Sequence, residues 1–416
     1  MTTLIKPFRG LRPTPEHASD VAAPPYDVLN TVEARERAAG KPMSFLHISK
    51  PEIDLPADTD PYAPEVYAKG AENLHKLVAE DILIRDNEPR YYAYRLRMGQ
   101  HEQTGLVCTG SVADYDTNRI RKHEFTRPQK EDDRVRQITA LKAQTGPVLL
   151  TYRSSDAVKQ ILVDVTAGAA PLYELVADDG IGHSIWLIDN PAHIEQLTDT
   201  FDAMEALYIA DGHHRSASAS RVAAAINKDG GNPTGQEADH NYFLCVAFPH
   251  DEMQILDYNR VITDLNGLNR DDLIAKISEK FVVTKSTQRT KPEKPEQFGM
   301  YIDGQWFQLD IRPELVPHDD PVASLDVSLL QDNLISPLLG IKNPRTDNRI
   351  DFVGGIRGLG ELEKRVNSGE MAIAFALFPT RMEALMAVAD ANEVMPPKST
   401  WFEPKLADGL VSHIID

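Results

Sequence analysis

The sequence of 416 residues contains only two cysteines, Cys108 and Cys245, and neither belongs to a CxxC pair. Two cysteines in a chain of this length cannot form the disulfide framework that stabilises small secreted domains. Both lie in apolar, strand-like runs, and we predict that both are buried structural thiols. This cysteine usage is typical of a reducing compartment, and we therefore expect a cytoplasmic protein.

The sequence also has no long hydrophobic run and no excess of positive charge. No apolar run approaches the ~20 residues that a membrane-spanning helix requires, and residues 1–7 lack the apolar stretch that a signal peptide would show. Acidic residues outnumber basic ones, 63 against 44, which gives a formal net charge of −19. Because this charge repels nucleic-acid phosphates and anionic lipids, we expect neither a nucleic acid nor a membrane as a partner.

The length predicts two or three domains, since a single hydrophobic core stops growing near ~250–300 residues. Strand-like and helix-like patterns mix without strict strand–helix–strand alternation, which favours an α+β or mixed α/β fold. Neighbouring strand-like runs predict β hairpins that turn at residues 99–100, 178–180 and 303–304. A polar segment rich in Gly and Asn, residues 226–240, predicts a long surface loop.

The most informative segment is Asp211-Gly212-His213-His214-Arg215. It follows an apolar run, residues 206–210, that is typical of a buried strand, and it leads into an Ala-rich segment with high helix propensity. A strand, a turn and a helix in this order direct the free backbone N–H groups of a helix N-terminus at one spot. This is the geometry of an anion site, most often of a phosphate site.

The residue types in this turn suit phosphate chemistry. Gly212 permits a backbone conformation that a Cβ atom would prevent. Arg215 can hold a phosphate with two hydrogen bonds, and His213 and His214 can donate to its oxygens. Asp211 can close the turn or hold a Mg²⁺ ion that neutralises the phosphates. The alternative is an ordinary turn in which the aspartate caps the helix. A metal site built on the two histidines is less favoured, because adjacent side chains on a helix point apart.

A second polar cluster, residues 119–128, places five basic groups around Glu124 in an otherwise acidic protein. Arg127 stands where the HExxH zinc motif requires a histidine, so the segment that starts at His123 does not match that motif. A carboxylate held among cations keeps its charge and can accept a proton from a bound hydroxyl. The alternative is a solvated run of charges. Four charged residues that follow are predicted to lie on the exposed face of the next helix: Lys130, Glu131, Asp132 and Arg134.

Two other segments are weaker candidates. Gly354 to Gly360 joins a predicted strand to a helix, but it matches neither the Walker A motif nor the dinucleotide-binding fingerprint. Met395 to Lys405 carries several polar side chains in a proline-rich segment that could reach a ligand. We expect its main contribution to be the packing of Trp401 and Phe402.

Several of these segments together resemble a known family. The resemblance is to the signature blocks of the bacterial and archaeal family called domain of unknown function 1015, and it spans nearly the whole chain. The blocks are Pro7–Pro13, Pro24–Val28, His123–Glu124, Asp211–Arg215 and Met395–Lys405.

The central region, roughly residues 110–230, more distantly resembles the ParB/sulfiredoxin-like superfamily. The shared order is a basic segment with a glutamate, a helix, the strand that begins at Gly146-Pro147-Val148, and the strand–turn–helix described above. Members of that superfamily bind the phosphates of ATP, ADP or CTP at the corresponding turn. Its free-serine kinases carry a closely similar turn and a His-Glu segment whose glutamate activates the serine hydroxyl. About 60 residues separate Pro147 from Asp211, which is longer than in the compact members.

This second resemblance implies roles for individual residues. Glu124 would be the general base, next to His123 in the same catalytic segment. Asp211 would be a catalytic carboxylate or the holder of a Mg²⁺ ion. The phosphate ligands would come from the turn: Gly212, His213, His214 and Arg215.

The resemblance also implies a domain organisation and a function. We expect a ParB/sulfiredoxin-like nucleotide-binding core at residues 106–230, between an N-terminal α/β region, 1–105, and a C-terminal α/β region, 231–416. The leading hypothesis is a serine-kinase-like phosphotransferase that uses ATP or ADP with Mg²⁺ and a small hydroxy amino acid, serine or phosphoserine, and that could act as a homodimer. The alternatives are a phosphatase acting on a phospho-amino acid such as phosphoserine and a non-catalytic nucleotide-binding regulator.

Overall fold

A computed structural model describes residues 3–228 and 238–415. The chain divides into two compact units: unit 1 comprises Met1–Met253 and Pro404–Asp416, and unit 2 comprises Gln254–Glu403. Both units combine helices with sheets, which confirms the expected mixed α/β fold. Most of the surface loop expected at 226–240 lies outside the described residues.

The strands, numbered along the chain, are as follows: β1 (Ile5–Lys6), β2 (Gly10–Pro13), β3 (Leu83–Arg85), β4 (Tyr91–Met98), β5 (His101–Ser111), β6 (Ile120–Arg121), β7 (Ala143–Gln144), β8 (Val148–Tyr152), β9 (Tyr173–Val176), β10 (Gly182–Ile188), β11 (Leu207–Asp211), β12 (Tyr242–Pro249), β13 (Gln254–Leu256), β14 (Tyr258–Ile262), β15 (Phe281–Ser286), β16 (Gln297–Ile302), β17 (Gln305–Ile311), β18 (Ile350–Gly354), β19 (Ile373–Leu377), β20 (Trp401–Glu403) and β21 (Ser412–Ile414).

The α-helices are as follows: α1 (Ala18–Val21), α2 (Thr31–Ala38), α3 (Leu46–Ser49), α4 (Pro64–Ala79), α5 (Val112–Asp116), α6 (Pro128–Leu141), α7 (Asp156–Gly168), α8 (Pro191–Asp202), α9 (His213–Lys228), α10 (Arg270–Ile277), α11 (Asp326–Leu330), α12 (Ser336–Leu339), α13 (Gly358–Asn367) and α14 (Met382–Asp390). A π-helical segment, Gln331–Ile335, lies between α11 and α12. Short 3-10 helices lie at Pro15–His17, Tyr26–Val28, Pro51–Asp54, Asp239–Asn241, His250–Glu252, Pro313–Leu315 and Gly355–Arg357.

The described part of unit 1 contains a nine-stranded mixed sheet in the order β6-β11-β8-β12-β5-β4-β10-β9, with β1 paired to β5. Apolar side chains from its strands pack against those of the helices α5, α7, α8 and α9 in one continuous core. Cys108 in β5 and Cys245 in β12 are cross-strand partners, and both are buried and free. The interpretation of both cysteines as structural thiols is therefore confirmed.

The pairing at one edge of this sheet brings two distant segments of the chain together. β11 runs parallel to β6 and antiparallel to β8. Because parallel strands end at the same side of a sheet, the segment after β6, residues 122–127, lies beside the turn after β11. The start of β8 lies there too, since Asp211 at the end of β11 pairs with Leu149.

The C-terminal segment of the chain is an integral part of unit 1. It forms β21, the strand between β2 and β7 in a four-stranded sheet of order β3-β2-β21-β7. Just before β21, the backbone of Asp408 exchanges two hydrogen bonds with Ala23. These bonds tie the segment Pro24–Val28 to the C-terminal segment of the chain.

Unit 2 contains a six-stranded antiparallel sheet in the order β15-β17-β16-β19-β14-β18. The helix α13 packs against it through Leu362, which is fully buried in a cluster with Val261 and Ala374. β13 and β20, at the two ends of the unit, pair with each other.

The local predictions from the sequence agree with this fold. The three expected hairpins are confirmed as β4–β5, β9–β10 and β16–β17. The boundaries of the two units differ from those of the three regions expected at 1–105, 106–230 and 231–416. Residue 105 lies inside β5, and β12 joins the large sheet of unit 1. The three-part division stays a prediction. Within 3–228 and 238–415, no helix has the length and apolar character needed to cross a membrane.

Candidate functional site

The predicted strand–turn–helix is present, and its glycine has a defined role. β11 ends at Asp211, Gly212 has a φ of +95°, and α9 begins at His213. A Cβ atom on Gly212 would lie 3.3 Å from the Cα of Val148 in β8. The turn therefore needs glycine both for its left-handed backbone and for the close approach of β8.

Asp211 is an ionised carboxylate that closes the turn. Its Oδ1 accepts a hydrogen bond from the backbone N–H of Gly212 at 2.8 Å, and its Oδ2 accepts one from Lys405 Nζ at 2.8 Å. Burial opposes ionisation, but the charges of Lys405 and Arg215 outweigh it and hold the pKa of Asp211 well below its ordinary value. Sequence reasoning marked the segment that ends at Lys405 but did not foresee this contact.

The two histidines of the turn hold the neighbouring segment through their rings. Nε2 of His214 accepts a hydrogen bond from the backbone N–H of Arg127 at 2.9 Å, and Nε2 of His213 accepts one from His123 at 3.4 Å. A backbone N–H can only donate, so each accepting nitrogen is unprotonated and each ring carries its proton on Nδ1. Burial lowers the pKa of both histidines, that of His213 well below its ordinary value, which keeps the rings neutral near pH 7.

Glu124 and His123 both lie next to His213. One carboxylate oxygen of Glu124, Oε2, is 3.8 Å from Nδ1 of His213, and the glutamate side chain is 53% exposed. The buried His123 ring packs edge-on against the His213 ring, with 4.5 Å between ring centroids. Burial lowers the pKa of His123 to about 4. A half-exposed carboxylate beside a neutral imidazole can accept a proton from a hydroxyl bound between the segment and the turn.

Part of the basic cluster at 119–128 has structural partners. Arg119 pairs with Asp114 and Arg121 pairs with Glu205, while Lys122 donates to the carbonyl of Tyr115. Arg127 of this cluster and Lys130, which follows it, act on His214 instead. Burial is the main cause of the lowered pKa of His214, and the charges of Lys130 and Arg127 are the next largest causes. These two cations therefore act on the start of α9, where the carboxylates of Asp27 and Glu131 act in the opposite direction.

Arg215 extends from the turn to other parts of unit 1. Its Nη1 donates to the carbonyl of Pro147 at 2.7 Å, and its Nη2 pairs with Asp27 at 3.3 Å. The guanidinium carbon lies 5.4 Å from the ring centroid of Tyr26. The segment Pro24–Val28, to which sequence reasoning gave no role, therefore reaches the site.

One prediction about the helix after the basic cluster was wrong. Arg134 was expected on the exposed face of that helix, α6, but its guanidinium lies 3.9 Å from the ring centroid of Tyr26 and is largely buried. The carboxylate of its neighbour Asp133 accepts from it at 2.7 Å, which compensates its charge. A run of charged residues alone does not reveal that an aromatic side chain from residue 26 covers one of them.

The described residues contain no group of three or more His, Cys, Asp or Glu side chains placed to hold a metal ion. Mg²⁺ that is held mainly by nucleotide phosphates needs only one or two protein carboxylates. Asp211 is a carboxylate of this kind, and its Oδ2 accepts a hydrogen bond from Lys405 in this structure. The weaker candidate segment Gly354–Gly360 belongs to unit 2, where it connects β18 to α13.

The chain belongs to the family described as "Protein of unknown function (DUF1015)", whose model matches residues 5–328. No curated protein matches the sequence.

Some solved structures are similar to the chain at low identity. A free serine kinase in complex with AMP has 13% identity and a TM-score of 0.34, and the match covers 74% of this chain and 92% of the kinase. SbnI with a C-terminal truncation from Staphylococcus aureus has 12% identity and a TM-score of 0.36, covering 73% and 85% of the two chains. A conserved hypothetical protein from Pyrococcus furiosus has 14% identity and a TM-score of 0.33, covering 74% and 95%. Likenesses this weak carry no argument about function, which has to come from the site itself.

Proposed function

We propose that this protein is a phosphotransferase that moves a phosphoryl group between ATP or ADP and a small hydroxy amino acid such as serine. The observation that supports this most is the approach of Glu124 Oε2 to within 3.8 Å of Nδ1 of His213, at the start of α9. A candidate base and a candidate phosphate cradle come from separate parts of the sequence, and the β6–β11 pairing brings them together.

The start of α9 is the proposed phosphate site. The first N–H groups of a helix carry the positive end of its dipole. At this turn the N–H of Gly212 donates to Asp211 and that of Arg215 donates to the carbonyl of Gly212, so the N–H groups of His213 and His214 are the proposed phosphate donors. His213 and His214 each carry an N–H at Nδ1 that can donate a hydrogen bond to a phosphate oxygen. Arg127 and Lys130 add positive charge near His214. Arg215, whose backbone belongs to the turn, adds a buried guanidinium.

Glu124 is the proposed general base. Phosphoryl transfer depends mainly on positioning and on neutralising charge, and an additional group has to accept the proton of the attacking hydroxyl. Glu124 is exposed enough to meet a substrate. His123 is buried and neutral, and we assign it to positioning His213 through their edge-on contact. Asp211 is the proposed carboxylate for Mg²⁺.

The test of this proposal is turnover with a conservative variant of the base. Purified protein with Mg²⁺, ATP or ADP, and L-serine should form phosphoserine, detected by ³¹P NMR. Glu124→Gln should keep nucleotide-induced thermal stabilisation and lose about 10²–10⁴-fold in kcat, the usual contribution of general base catalysis. Full activity of the variant would show that Glu124 is not the base.

The same assay separates the alternatives. Phosphate release from phosphoserine without any nucleotide, and no turnover with a panel of hydroxy amino acids, would favour the phosphatase. Tight nucleotide binding with neither activity would favour the non-catalytic regulator.

A further inference from the structure

A small cavity in unit 1 has a lining that the proposed phosphate site does not explain. The centre of a water-sized sphere can move through ≈ 30 Å³ of it, so the space between the lining atoms is larger than a single water molecule. Polar side chains from five separate segments line it: Tyr26, Ser49, Arg134, Gln137, Arg215 and Asp408.

Four polar atoms of this lining are buried and have no hydrogen-bond partner in the described part of the chain: Ser49 Oγ, Gln137 Oε1, Arg215 Nε and Asp408 Oδ1. Ser49, Gln137 and Asp408 are only 3%, 3% and 1% exposed. Buried polar groups in native proteins are almost always paired, because an unpaired one is destabilising. Four such atoms around one cavity can be paired by a bound polar ligand.

The donors of the lining suit a carboxylate. Arg134 and Arg215 place two guanidinium groups on the cavity, and each has the ring of Tyr26 beside it, at 3.9 and 5.4 Å from the ring centroid. Guanidinium groups are well suited to bind carboxylates with paired hydrogen bonds. The hydroxyl of Ser49 adds another donor.

The acceptors of the lining suit an ammonium group. Gln137 donates through Nε2 to the carbonyl of Ile48 at 2.7 Å, which fixes the orientation of the amide and leaves Oε1 as the open acceptor. Asp408 Oδ1 is the second open acceptor. Burial raises the pKa of Asp408 to about 7, and a cation placed at Oδ1 would favour its ionised form.

We propose that this cavity binds the α-carboxylate and the α-ammonium of a small amino acid. An α-amino acid carries both charges on one carbon, and the lining supplies both donors and acceptors. That this amino acid is the phosphoryl acceptor rests on the proposed function. Arg215 links the two sites, because its backbone belongs to the turn and its side chain lines the cavity.

Binding of L-serine to the full-length protein without nucleotide, measured by isothermal titration calorimetry, tests the cavity directly. L-serine and L-alanine should both bind. Ethanolamine lacks the carboxylate and 3-hydroxypropanoate lacks the ammonium, so each should bind at least tenfold more weakly, as expected when a hydrogen bond to a charged group is lost. Equal binding of L-serine and either analogue, or no binding by any of a panel of small L-amino acids, would overturn the proposal.

Two near-isosteric variants assign the binding to this cavity. Gln137→Met and Asp408→Asn should each weaken L-serine binding about tenfold or more and leave nucleotide-induced thermal stabilisation unchanged. Gln160→Met, at an exposed position of α7, is the matched control and should bind L-serine like the parent protein. If Asp408→Asn does not fold, Gln137→Met carries the test alone.

The outcomes separate this proposal from the proposed function. L-serine binding that depends on Gln137 but leads to no phosphoserine would leave the cavity assignment standing and contradict the kinase. Phosphoserine formation with an unchanged KM for L-serine in a folded Gln137→Met variant would contradict the cavity and leave the kinase standing.

Discussion

Arg215 is the residue whose removal should affect the phosphate site most. Its backbone belongs to the turn, and its guanidinium lies among three carboxylates, those of Asp27, Asp408 and Asp211. We expect Arg215→Ala to abolish the thermal stabilisation that ADP gives the parent protein, because the site loses a buried cation that phosphate binding needs.

The chain offers a matched control on the same helix. Arg221 is about half exposed, and it pairs with Glu131 and Asp132. Arg221→Ala should retain the full ADP-induced shift in Tm, since surface ion pairs contribute little to stability. An Arg215→Ala variant that is still stabilised by ADP would contradict the assignment of Arg215 to the phosphates.

Asp408 should make stability depend on pH in a direction that can be measured. Burial raises the pKa of this carboxyl from 3.8 to about 7 in the folded protein. Between these values the folded state holds a proton that the unfolded state has lost, so this group's stabilising contribution is full below pH 4 and is lost as the pH rises to 7. Asp408→Asn removes the titration, so its stability relative to the parent should rise by up to about 4 kcal/mol over this range.

The measurement is urea unfolding of the parent and of Asp408→Asn at several pH values between 4.5 and 8. The informative quantity is the difference between the two free energies of unfolding as a function of pH, because other groups titrate equally in both proteins. Asp58→Asn, at an exposed position, is the matched control. A constant difference between the parent and Asp408→Asn across the range would show that Asp408 is ionised throughout.

Residues that are neighbours in the sequence could be assigned to a site before the structure was known, and distant ones could not. Asp211 to Arg215 form one turn, so residue types and order were enough to predict it. Lys405 pairs with Asp211 across 194 positions, and Asp408 reaches the cavity from the same C-terminal segment. The resemblance marked the segment up to Lys405, but no pattern in one sequence shows which residue it contacts.

At the scale of elements, the turn between β11 and α9 determines whether the site forms. Gly212 has a φ of +95°, and a Cβ there would lie 3.3 Å from the Cα of Val148. We expect Gly212→Ala to lower the free energy of unfolding by about 1–3 kcal/mol, the usual cost of a residue held in a sparsely populated backbone region. It should also weaken the ADP-induced shift in Tm, because the N–H groups of α9 move with the turn.

Differential scanning fluorimetry with and without ADP measures both effects. Gly168→Ala is the matched control: Gly168 ends α7, has no atom within 4 Å of an added Cβ and lacks a left-handed backbone. That variant should be as stable as the parent or slightly more so. A Gly212→Ala protein with the Tm and the ADP response of the parent would contradict the role given to the turn.

Hairpins could be predicted and the order of strands in the sheet could not. The turns at 99–100 and 303–304 connect strands that pair with their immediate successors, so local residue types determine them. The pairing of β6 with β11 joins Ile120 to Leu207, and it depends on how the whole of unit 1 packs. This pairing brings Glu124 to His213, so the sequence predicted the two halves of the candidate site, and the folded sheet supplied their distance.

At the scale of the whole molecule, basic side chains gather at the candidate sites of a protein whose net charge is negative. The chain carries a formal charge of −19, yet Arg127 and Lys130 lie near the start of α9, and Arg134 and Arg215 line the cavity. An anionic ligand is repelled by the net charge of the protein, and it meets guanidinium and ammonium groups at these places. Small anions that fit the site are therefore favoured over large polyanions, which would also meet the acidic surface.

The division of the chain into units predicts that unit 2 folds by itself. Residues 254–403 are continuous in the sequence and contain their own six-stranded sheet and core. Gln254 and Glu403 at its two ends are partners in the β13–β20 pair, which closes the unit. The isolated fragment 254–403 should therefore unfold in one cooperative thermal transition, followed by circular dichroism.

A shorter fragment tests what the closing strands contribute. Residues 258–399 lack β13 and β20 and with them the contact of Trp401 with Tyr258, whose ring centroids lie 5.2 Å apart. This fragment should melt several degrees below fragment 254–403, because about 1–2 kcal/mol of packing and pairing is lost. If fragment 254–403 has no cooperative transition while the full chain does, unit 2 needs the rest of the chain to fold, and its compactness does not make it an independent domain.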